Sequence, residues 1–265
     1  MPTDKPDLWG ATDTYENYMG RWSRKIAPIY LDWLGIDGGK SWLDVGCGTG
    51  ELSAVIAGAC DPEELHGIDP AQPYVDFART RVPAAAFSVG SAMRIEEPDD
   101  RFDVAVSGLV LNFVPDNARV ICEKARVVRP GGTVSAYVWD YAGHMQIMRY
   151  FFDTAIDFDP ASADYDDGIR APICRPAPLA GAFRTAGLQE VAVEAIDIAT
   201  PFETFDDYWA PFLGGTGSAP KYCMSLNEDT RNAIRDAVRA KLPTGPDGEI
   251  LLAARAWAVK GIVPD

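Results

Sequence analysis

The sequence contains few histidines and cysteines, the residues that structural zinc sites and disulfide frameworks require. Its 265 residues include only two histidines and five cysteines, and no two cysteines stand in a C-x-x-C pair. Structural zinc sites and disulfide frameworks need more of these side chains at closer spacing, so we predict no metal site. No apolar run approaches the about 20 residues that span a bilayer. The opening MPTDKPDLWG lacks the basic start and apolar core of an export signal. We therefore expect a cytoplasmic protein with no membrane partner.

Basic residues are also in the minority. The chain has 24 Lys and Arg against 39 Asp and Glu, which gives a net charge of −15. Nucleic-acid binding draws much of its affinity from basic side chains that neutralise phosphates. The one basic cluster, GRWSRK at 20–25, is too short to line a groove. We therefore predict a small-molecule partner and no nucleic acid, and no pattern indicates an oligomeric state.

Glycine is concentrated in one informative place, the stretch WLDVGCGTGELS. Gly46, Gly48 and Gly50 follow a buried apolar run and precede an amphipathic helix, a pattern that predicts a strand, a tight turn and a helix. A dinucleotide fingerprint would need its third glycine at position 51, where Glu51 stands, and no Lys-Ser/Thr pair follows as in a phosphate-binding P-loop. A structural turn that binds nothing stays open as the alternative to a ligand-binding loop.

LDVGCGTG resembles the first motif of the class I S-adenosylmethionine (SAM) dependent methyltransferases. Further stretches resemble that family in the same order: HGIDP, GSAMRIEEPDDRFDVAVSGLVLNFVPD and RVVRPGG. The resemblance covers about 42–139 and implies SAM as the cofactor. It also implies an α/β fold, namely a Rossmann-like doubly wound seven-stranded sheet, mostly parallel, with an antiparallel C-terminal edge hairpin and a helical cap.

The pattern of apolar residues predicts the order of elements. We expect strands near 41–45, 64–68, 86–89, 102–107, 132–138, 190–198 and 250–259. We expect helices near 12–34, 51–59, 72–81, 117–128, 179–186, 205–213 and 228–242, with Pro28 bending or splitting the first of them. After residue 139 an amphipathic helix rich in methionine and aromatic residues should lead into an acidic loop.

These elements predict one methyltransferase domain over residues 1–265. Within it we expect an N-terminal helical cover at 8–35, the SAM-binding core at 41–139 and a substrate cap at 140–176. The C-terminal part of the sheet should occupy 177–265, with a second lid segment near 203–226.

The resemblance implies which residues contact the cofactor. They are Asp44, Gly46, Cys47, Gly48, Gly50, Asp69, Pro70, Ser91, Ala92, Met93 and Ser107. A carboxylate at Asp69 can accept hydrogen bonds from both ribose hydroxyls, although it could instead cap the helix at 72–81. Asp44 could meet the SAM amino group or only brace the loop. Ser91 stands where the family often has an acid.

The N-terminal segment offers three further candidates. Tyr15, Arg21 and Trp22 could close over SAM, with Arg21 meeting the methionyl carboxylate. The same aromatic stripe could simply pack in the core.

Catalysis requires little beyond positioning, because the SAM sulfonium makes its methyl group electrophilic. A base is needed only if the nucleophile must lose a proton. We predict that Asn112 orients a substrate oxygen and that His144 acts as a base, since histidine titrates near neutrality. The alternatives are a turn or cap residue and a surface histidine.

The leading interpretation is methyl transfer to a small molecule at O, N, S or C. An enzyme that uses another part of SAM, such as aminopropyl transfer, and a non-catalytic SAM-binding protein stay open. Six aspartates lie between Arg149 and Arg170 beside methionine and aromatic residues. If part of this cluster faces the pocket, the acceptor should be neutral or cationic and partly apolar.

Overall fold

The computed structural model describes residues 21–215 and 217–265. Tyr15 and the first part of the predicted N-terminal cover lie outside the described residues. The strands are β1 (Ser41–Val45), β2 (Glu64–Asp69), β3 (Ala86–Val89), β4 (Phe102–Val106), β5 (Val128–Trp139), β6 (Gln189–Phe202) and β7 (Ile250–Ile262). The helices are α1 (Arg21–Leu34), α2 (Glu51–Ala59), α3 (Gln72–Arg81), α4 (Asn117–Val127), α5 (Gln146–Phe158), α6 (Asp167–Arg170), α7 (Pro176–Thr185), α8 (Phe205–Trp209), α9 (Ser218–Ser225) and α10 (Glu228–Lys241). Short 3-10 turns lie at Pro160–Tyr165, Pro172–Cys174 and Ala210–Leu213.

The strands form one seven-stranded sheet in the order β3-β2-β1-β4-β5-β7-β6. The strands β1 to β5 pair in parallel, whereas β7 pairs with β5 in the antiparallel direction. This arrangement confirms the predicted mostly parallel sheet with antiparallel C-terminal strands. The chain changes direction across the sheet between β1 and β4, which is the position where open α/β sheets generally bind ligands.

Most element boundaries agree with the sequence pattern. Strand β1 is buried at all five positions, as expected for a central parallel strand with helices on both faces. Helix α4 begins where the Asp116 side chain accepts a hydrogen bond from the Arg119 amide, which satisfies one of the unpaired amides of the first turn. The segment at 205–213 is a helix only to Trp209 and continues as a 3-10 turn, because Pro211 cannot continue the α-helical hydrogen bonding.

Pro28 lies inside α1, and the described part of this helix is continuous. The proline therefore does not split the helix, as one alternative in the sequence prediction had it. The apolar face of α1, including Ile26, Tyr30 and Leu34, is almost completely buried. This burial offsets the loss of one backbone hydrogen bond at the proline.

The chain divides into two compact units. The first, which we call the sheet unit, comprises Arg24–Trp139, Ile173–Ile196 and Ala256–Asp265. The second, which we call the helical unit, comprises Asp140–Pro172, Asp197–Arg255 and, among the described residues, 21–23. The single domain, the cap at 140–176 and the lid at 203–226 stay predictions.

The helical unit has its own aromatic core. Phe151 of α5 stacks on Phe212 with ring centres 4.7 Å apart, and the Tyr208 hydroxyl donates to the Ile147 carbonyl at 2.8 Å. After α5 the chain forms 3-10 turns and the short helix α6 in place of the predicted acidic loop. Asp159 and Asp166 produce these turns by accepting hydrogen bonds from backbone amides two residues further on.

Candidate cofactor site

The loop after β1 contains three glycines, all with positive φ angles: 75° at Gly46, 52° at Gly48 and 82° at Gly50. They serve different purposes. A Cβ on Gly46 would lie 2.6 Å from Val110, and one on Gly50 would lie 3.1 Å from Ala78, so these two allow close packing. A Cβ on Gly48 would meet no atom within 4 Å. Gly48 therefore presents bare backbone to open space, as a ligand-binding loop requires.

Asp69, at the end of β2, fixes this loop. Its Oδ2 accepts a hydrogen bond from the Gly48 amide at 3.0 Å, and its Oδ1 accepts one from the Ala71 amide at 2.9 Å. Burial raises the pKa of Asp69, and these two hydrogen bonds partly oppose the rise. A carboxylate has about four acceptor positions, so both oxygens can also accept from a ribose. The role predicted for Asp69 thus stays open beside its structural one.

Asp44 lies beneath the loop and is completely buried. Its Oδ2 accepts from the Ser53 hydroxyl at 2.7 Å, while Oδ1 has no hydrogen-bond partner among the described residues. Burial raises the pKa of Asp44 to about 6, and the Ser53 hydrogen bond and the charge of Lys124 oppose the rise. An unpaired buried carboxylate oxygen is unfavourable, and a cationic ligand group would compensate it.

Ser107 follows β4 and is also completely buried. Its hydroxyl accepts a hydrogen bond from Nζ of Lys124 at 2.9 Å. Lys124 is itself completely buried, and this burial lowers its pKa to about 7, an effect that the charge of Asp44 opposes. Sequence reasoning missed Lys124, although its spacing from Val120, Ile121 and Val127 in α4 places it on the buried face.

The loop after β3 lies beside Asp69, because the Gly90 amide donates to the Asp69 carbonyl at 3.1 Å. Ser91 is exposed and Ala92 and Met93 are half-buried. The Ser91 hydroxyl accepts from the Met93 amide, so this loop is held by its own residues. The structure thus brings Ser91, Ala92 and Met93 of the predicted cofactor set next to Asp69, the predicted ribose contact.

Two members of the predicted cofactor set offer only backbone. The Cys47 side chain packs in a core cluster with Val75, Val82 and Phe87, and its amide donates to the Ile68 carbonyl at 3.0 Å. Burial raises the pKa of this thiol well above its usual range, so it stays protonated. Pro70 is exposed and has no amide hydrogen to donate.

Asn112 lies in the turn between β4 and α4 and is half-buried. Asp116, not Asn112, caps the helix, and the Asn112 side chain forms no hydrogen bond with the described residues.

Leu109, three residues earlier, has a φ of 61°, a conformation that costs an L-residue about 1 to 2 kcal/mol. Such strain is concentrated at functional sites, and the sequence contains no signal for it because leucine has no turn preference.

The other predicted site residues belong to the helical unit. The guanidinium of Arg21 lies 4.4 Å from the ring centre of Trp22 and 4.7 Å from that of Phe202, and its NH1 pairs with Asp207 at 3.1 Å. Arg21 and Trp22 are therefore integral to this unit. Their contact with a cofactor stays a prediction.

His144 is about half exposed, and its Nδ1 lies 3.6 Å from Asp140 Oδ2. Its backbone carbonyl accepts from the Arg255 amide.

Two aspartates of the cluster between Arg149 and Arg170 form ion pairs: Asp157 pairs with Lys241 at 2.8 Å and Asp166 with Arg149 at 2.6 Å. Much of the acidic charge predicted to face a pocket is therefore compensated locally.

Solved structures with the same architecture place this fold in a known class. A candidate methyltransferase from Bacillus halodurans has a TM-score of 0.61 at 14% identity, over 90% of this chain and 99% of that chain. Phosphoethanolamine N-methyltransferase 2 from Haemonchus contortus, in complex with SAM, has a TM-score of 0.60 at 14% identity, over 97% of this chain and 57% of that chain. The chain has the class I methyltransferase fold.

Sequence comparison then identifies the segment around the glycine loop. Residues 43–136 match a family described as a methyltransferase domain. The chain is 32% identical over 126 residues to a demethylmenaquinone methyltransferase from Lysinibacillus sphaericus. This match covers 45% of this chain and 54% of that protein. The chain thus spans about half the length of this curated relative. Residues 43–136 therefore resemble a methyltransferase domain, within a chain that has the class I methyltransferase fold.

No helix among the described residues is long and apolar enough to cross a membrane.

Proposed function

We propose that the chain binds SAM on the glycine loop of the sheet unit and transfers the methyl group to a small-molecule acceptor. The observation that carries this proposal is the pairing of Gly48 with Asp69. An open, positive-φ glycine lies next to a carboxylate that holds its amide and retains acceptor positions. This is the arrangement that a ribose and its neighbouring groups need.

The chain's own residues would act mainly by holding and orienting. SAM, when bound, supplies a methyl group that is already electrophilic. Asp69 accepts from the ribose hydroxyls, the bare backbone at Gly48 allows close approach, and Asp44 supplies negative charge beneath the loop. Alignment of the methyl group with its acceptor can lower the activation free energy by roughly 7 to 11 kcal/mol. No dedicated base is therefore needed where the nucleophilic atom of the acceptor has no proton to lose.

Asn112 is the candidate for orienting the acceptor. Its amide has no intramolecular hydrogen bond among the described residues, and it lies in the loop that follows β4, at the carboxyl edge of the sheet. Its oxygen and NH2 group can each bind a polar acceptor atom. His144 is the candidate base where the nucleophile must lose a proton.

The acceptor that we propose is partly apolar and neutral or cationic. The net charge of −15 disfavours polyanions by long-range repulsion. The relatives' names support a small molecule without fixing its charge, since one names a quinone and another a phosphorylated amine. Screening matched neutral, amine and phosphate acceptors at low and high salt tests this proposal, because charge selection should weaken as salt screens it. Preference for polyanions would contradict it.

Calorimetry and product analysis test the function itself. The protein should bind SAM and S-adenosylhomocysteine and should not bind NAD. Incubation of methyl-labelled SAM with a metabolite extract should give a labelled small molecule and S-adenosylhomocysteine. Release of methylthioadenosine from SAM would indicate transfer of the aminocarboxypropyl group, another part of the cofactor, and binding without turnover would indicate a non-catalytic SAM-binding protein.

A further inference from the structure

The sheet unit contains a charged group that a nucleotide-binding sheet does not require. Lys124 of α4 has no solvent exposure, and its Nζ donates to the Ser107 hydroxyl at 2.9 Å and to the Ser135 carbonyl. Lysine is rarely fully buried unless it is paired. The opposite charge that acts on Lys124 is the carboxylate of Asp44, beneath the glycine loop.

The hydrogen-bond network of Lys124 extends into α1, β5 and β7. From α1, the Tyr30 hydroxyl donates to the Ser135 hydroxyl at 2.6 Å, and that hydroxyl donates to the Val259 carbonyl of β7 at 2.6 Å. Tyr30 is neutral here, because burial raises its pKa well above the ordinary value for tyrosine. Among the described residues, the charges that affect the ionisation of Asp44 are those of the Asp69 carboxylate and the Lys124 ammonium.

The direction of the hydrogen bonds also matters. An ammonium only donates, so the Ser107 hydroxyl accepts from Lys124 and keeps its own proton for another acceptor. Lys124 therefore fixes the orientation of a residue in the predicted cofactor set. It also favours the ionised form of Asp44, which burial alone would disfavour.

We propose that Lys124 is a positioning residue for the cofactor, which orients the Ser107 hydroxyl and supplies a buried positive charge opposite to that of Asp44 beneath the glycine loop, and thereby strengthens the binding of a ligand that carries an ammonium group. This role rests on the proposed function, since it presupposes that the loop binds SAM. It acts through Asp44 and Ser107, without contact between Lys124 and the reacting atoms.

The test measures the dissociation constant of S-adenosylhomocysteine by calorimetry between pH 5 and pH 9. Binding to the wild type should weaken as the pH falls and Asp44 takes up a proton. The variant Lys124→Gln keeps a side-chain donor and removes the charge, so the weakening should begin at higher pH. Asp44 is about half ionised at pH 6 in the wild type, so a shift of one pH unit in its titration should give about fivefold weaker binding there, and near equality at pH 8.5.

The control is Val120→Ala, which removes buried packing from the same helix without changing any charge. It should lower thermal stability and leave the pH dependence of binding unchanged. Identical pH profiles for Lys124→Gln and the wild type would overturn the role of Lys124 while leaving the proposed function intact. Absence of binding by the wild type would instead contradict the proposed function.

If Lys124→Gln does not fold, Lys124→Met carries the same test, because methionine has a similar shape and no charge. Failure of both variants to fold, with Val120→Ala folded, would make Lys124 a folding residue and overturn its specific role toward the cofactor.

Discussion

The Gly48 amide donates a hydrogen bond to Asp69 Oδ2 at 3.0 Å, joining the loops that follow two adjacent parallel strands. The same carboxylate holds Ala71 at the start of α3. One side chain thus fixes the glycine loop relative to the next helix.

Asp69→Ala should weaken SAM binding by roughly 30- to 1000-fold. The substitution removes hydrogen bonds to the ribose, together worth about 2 to 4 kcal/mol, and releases the Gly48 amide. Calorimetry with S-adenosylhomocysteine measures this change. Asp76→Ala, at an exposed residue of α3 that pairs with Arg79, is the matched control and should bind normally. An unchanged dissociation constant for Asp69→Ala would remove Asp69 from the site.

Gly48→Ala should weaken cofactor binding at least tenfold, roughly the effect of 1.4 kcal/mol, because its Cβ would occupy the open space above the loop. Gly131→Ala is a close control. Gly131 also has a positive φ, 75°, and open space around its Cβ position, so both variants should lose about 1 kcal/mol of stability to backbone strain. Thermal melts and calorimetry compare them. Equal binding by the two variants would show that the ligand does not approach Gly48.

Asp44→Asn should bind S-adenosylhomocysteine more weakly and yet be more stable. The pKa of Asp44 is about 6 in the folded protein, above its ordinary value of 3.8. Between about pH 4 and pH 6 the folded state therefore holds a proton that the unfolded state releases. The cost in folding stability of keeping Asp44 ionised in the folded protein is fully present above about pH 6 and disappears as the pH falls toward 4.

That penalty amounts to at most about 3 kcal/mol. Denaturant titrations at pH 4 to 8 should show that Asp44→Asn loses this part of the pH dependence and gains stability near pH 8. A pH profile identical to that of the wild type would show that Asp44 does not titrate in this range. Asp76→Asn, at an exposed position, serves as the control.

Asn112→Ala should lower kcat for methyl transfer by about ten- to a hundredfold through misorientation of the acceptor, with the dissociation constant of S-adenosylhomocysteine unchanged.

His144→Asn tests the second catalytic candidate. A base role requires a loss of roughly a hundredfold or more in kcat. If kcat matches that of the wild type, His144 is a surface histidine.

The sheet could be predicted because its signals are local. The apolar run before Gly46, the glycine loop and the amphipathic pattern after it each determine one element within a few residues. The start of β5 before residue 132 and the end of β6 beyond residue 198 could not be predicted in this way. At the start of β5, the pairing of Val128 with Phe102 extends the strand ahead of the apolar pattern.

The candidate site was only partly predictable. Gly48 and Asp69 could be found because the motif fixes their positions, whereas the burial of Lys124 depends on β4 and β5 packing around α4. The acidic residues of 153–167 were predicted to select the acceptor if part of the cluster faces the pocket. Lys241, the partner of Asp157, lies 84 residues away, so the local sequence does not show that this charge is compensated.

The position of β7 between β5 and β6 has a consequence for synthesis on the ribosome. Trp139 of β5 pairs with Ala256, so the edge of β5 stays unpaired until the last strand has left the exit tunnel. At about 5 to 20 residues per second this delay is on the order of ten seconds. Throughout it the nascent chain presents an open strand edge, which invites pairing with other chains. The edge of β5 therefore becomes paired only when β7 is available, and truncation before residue 250 makes that exposure permanent.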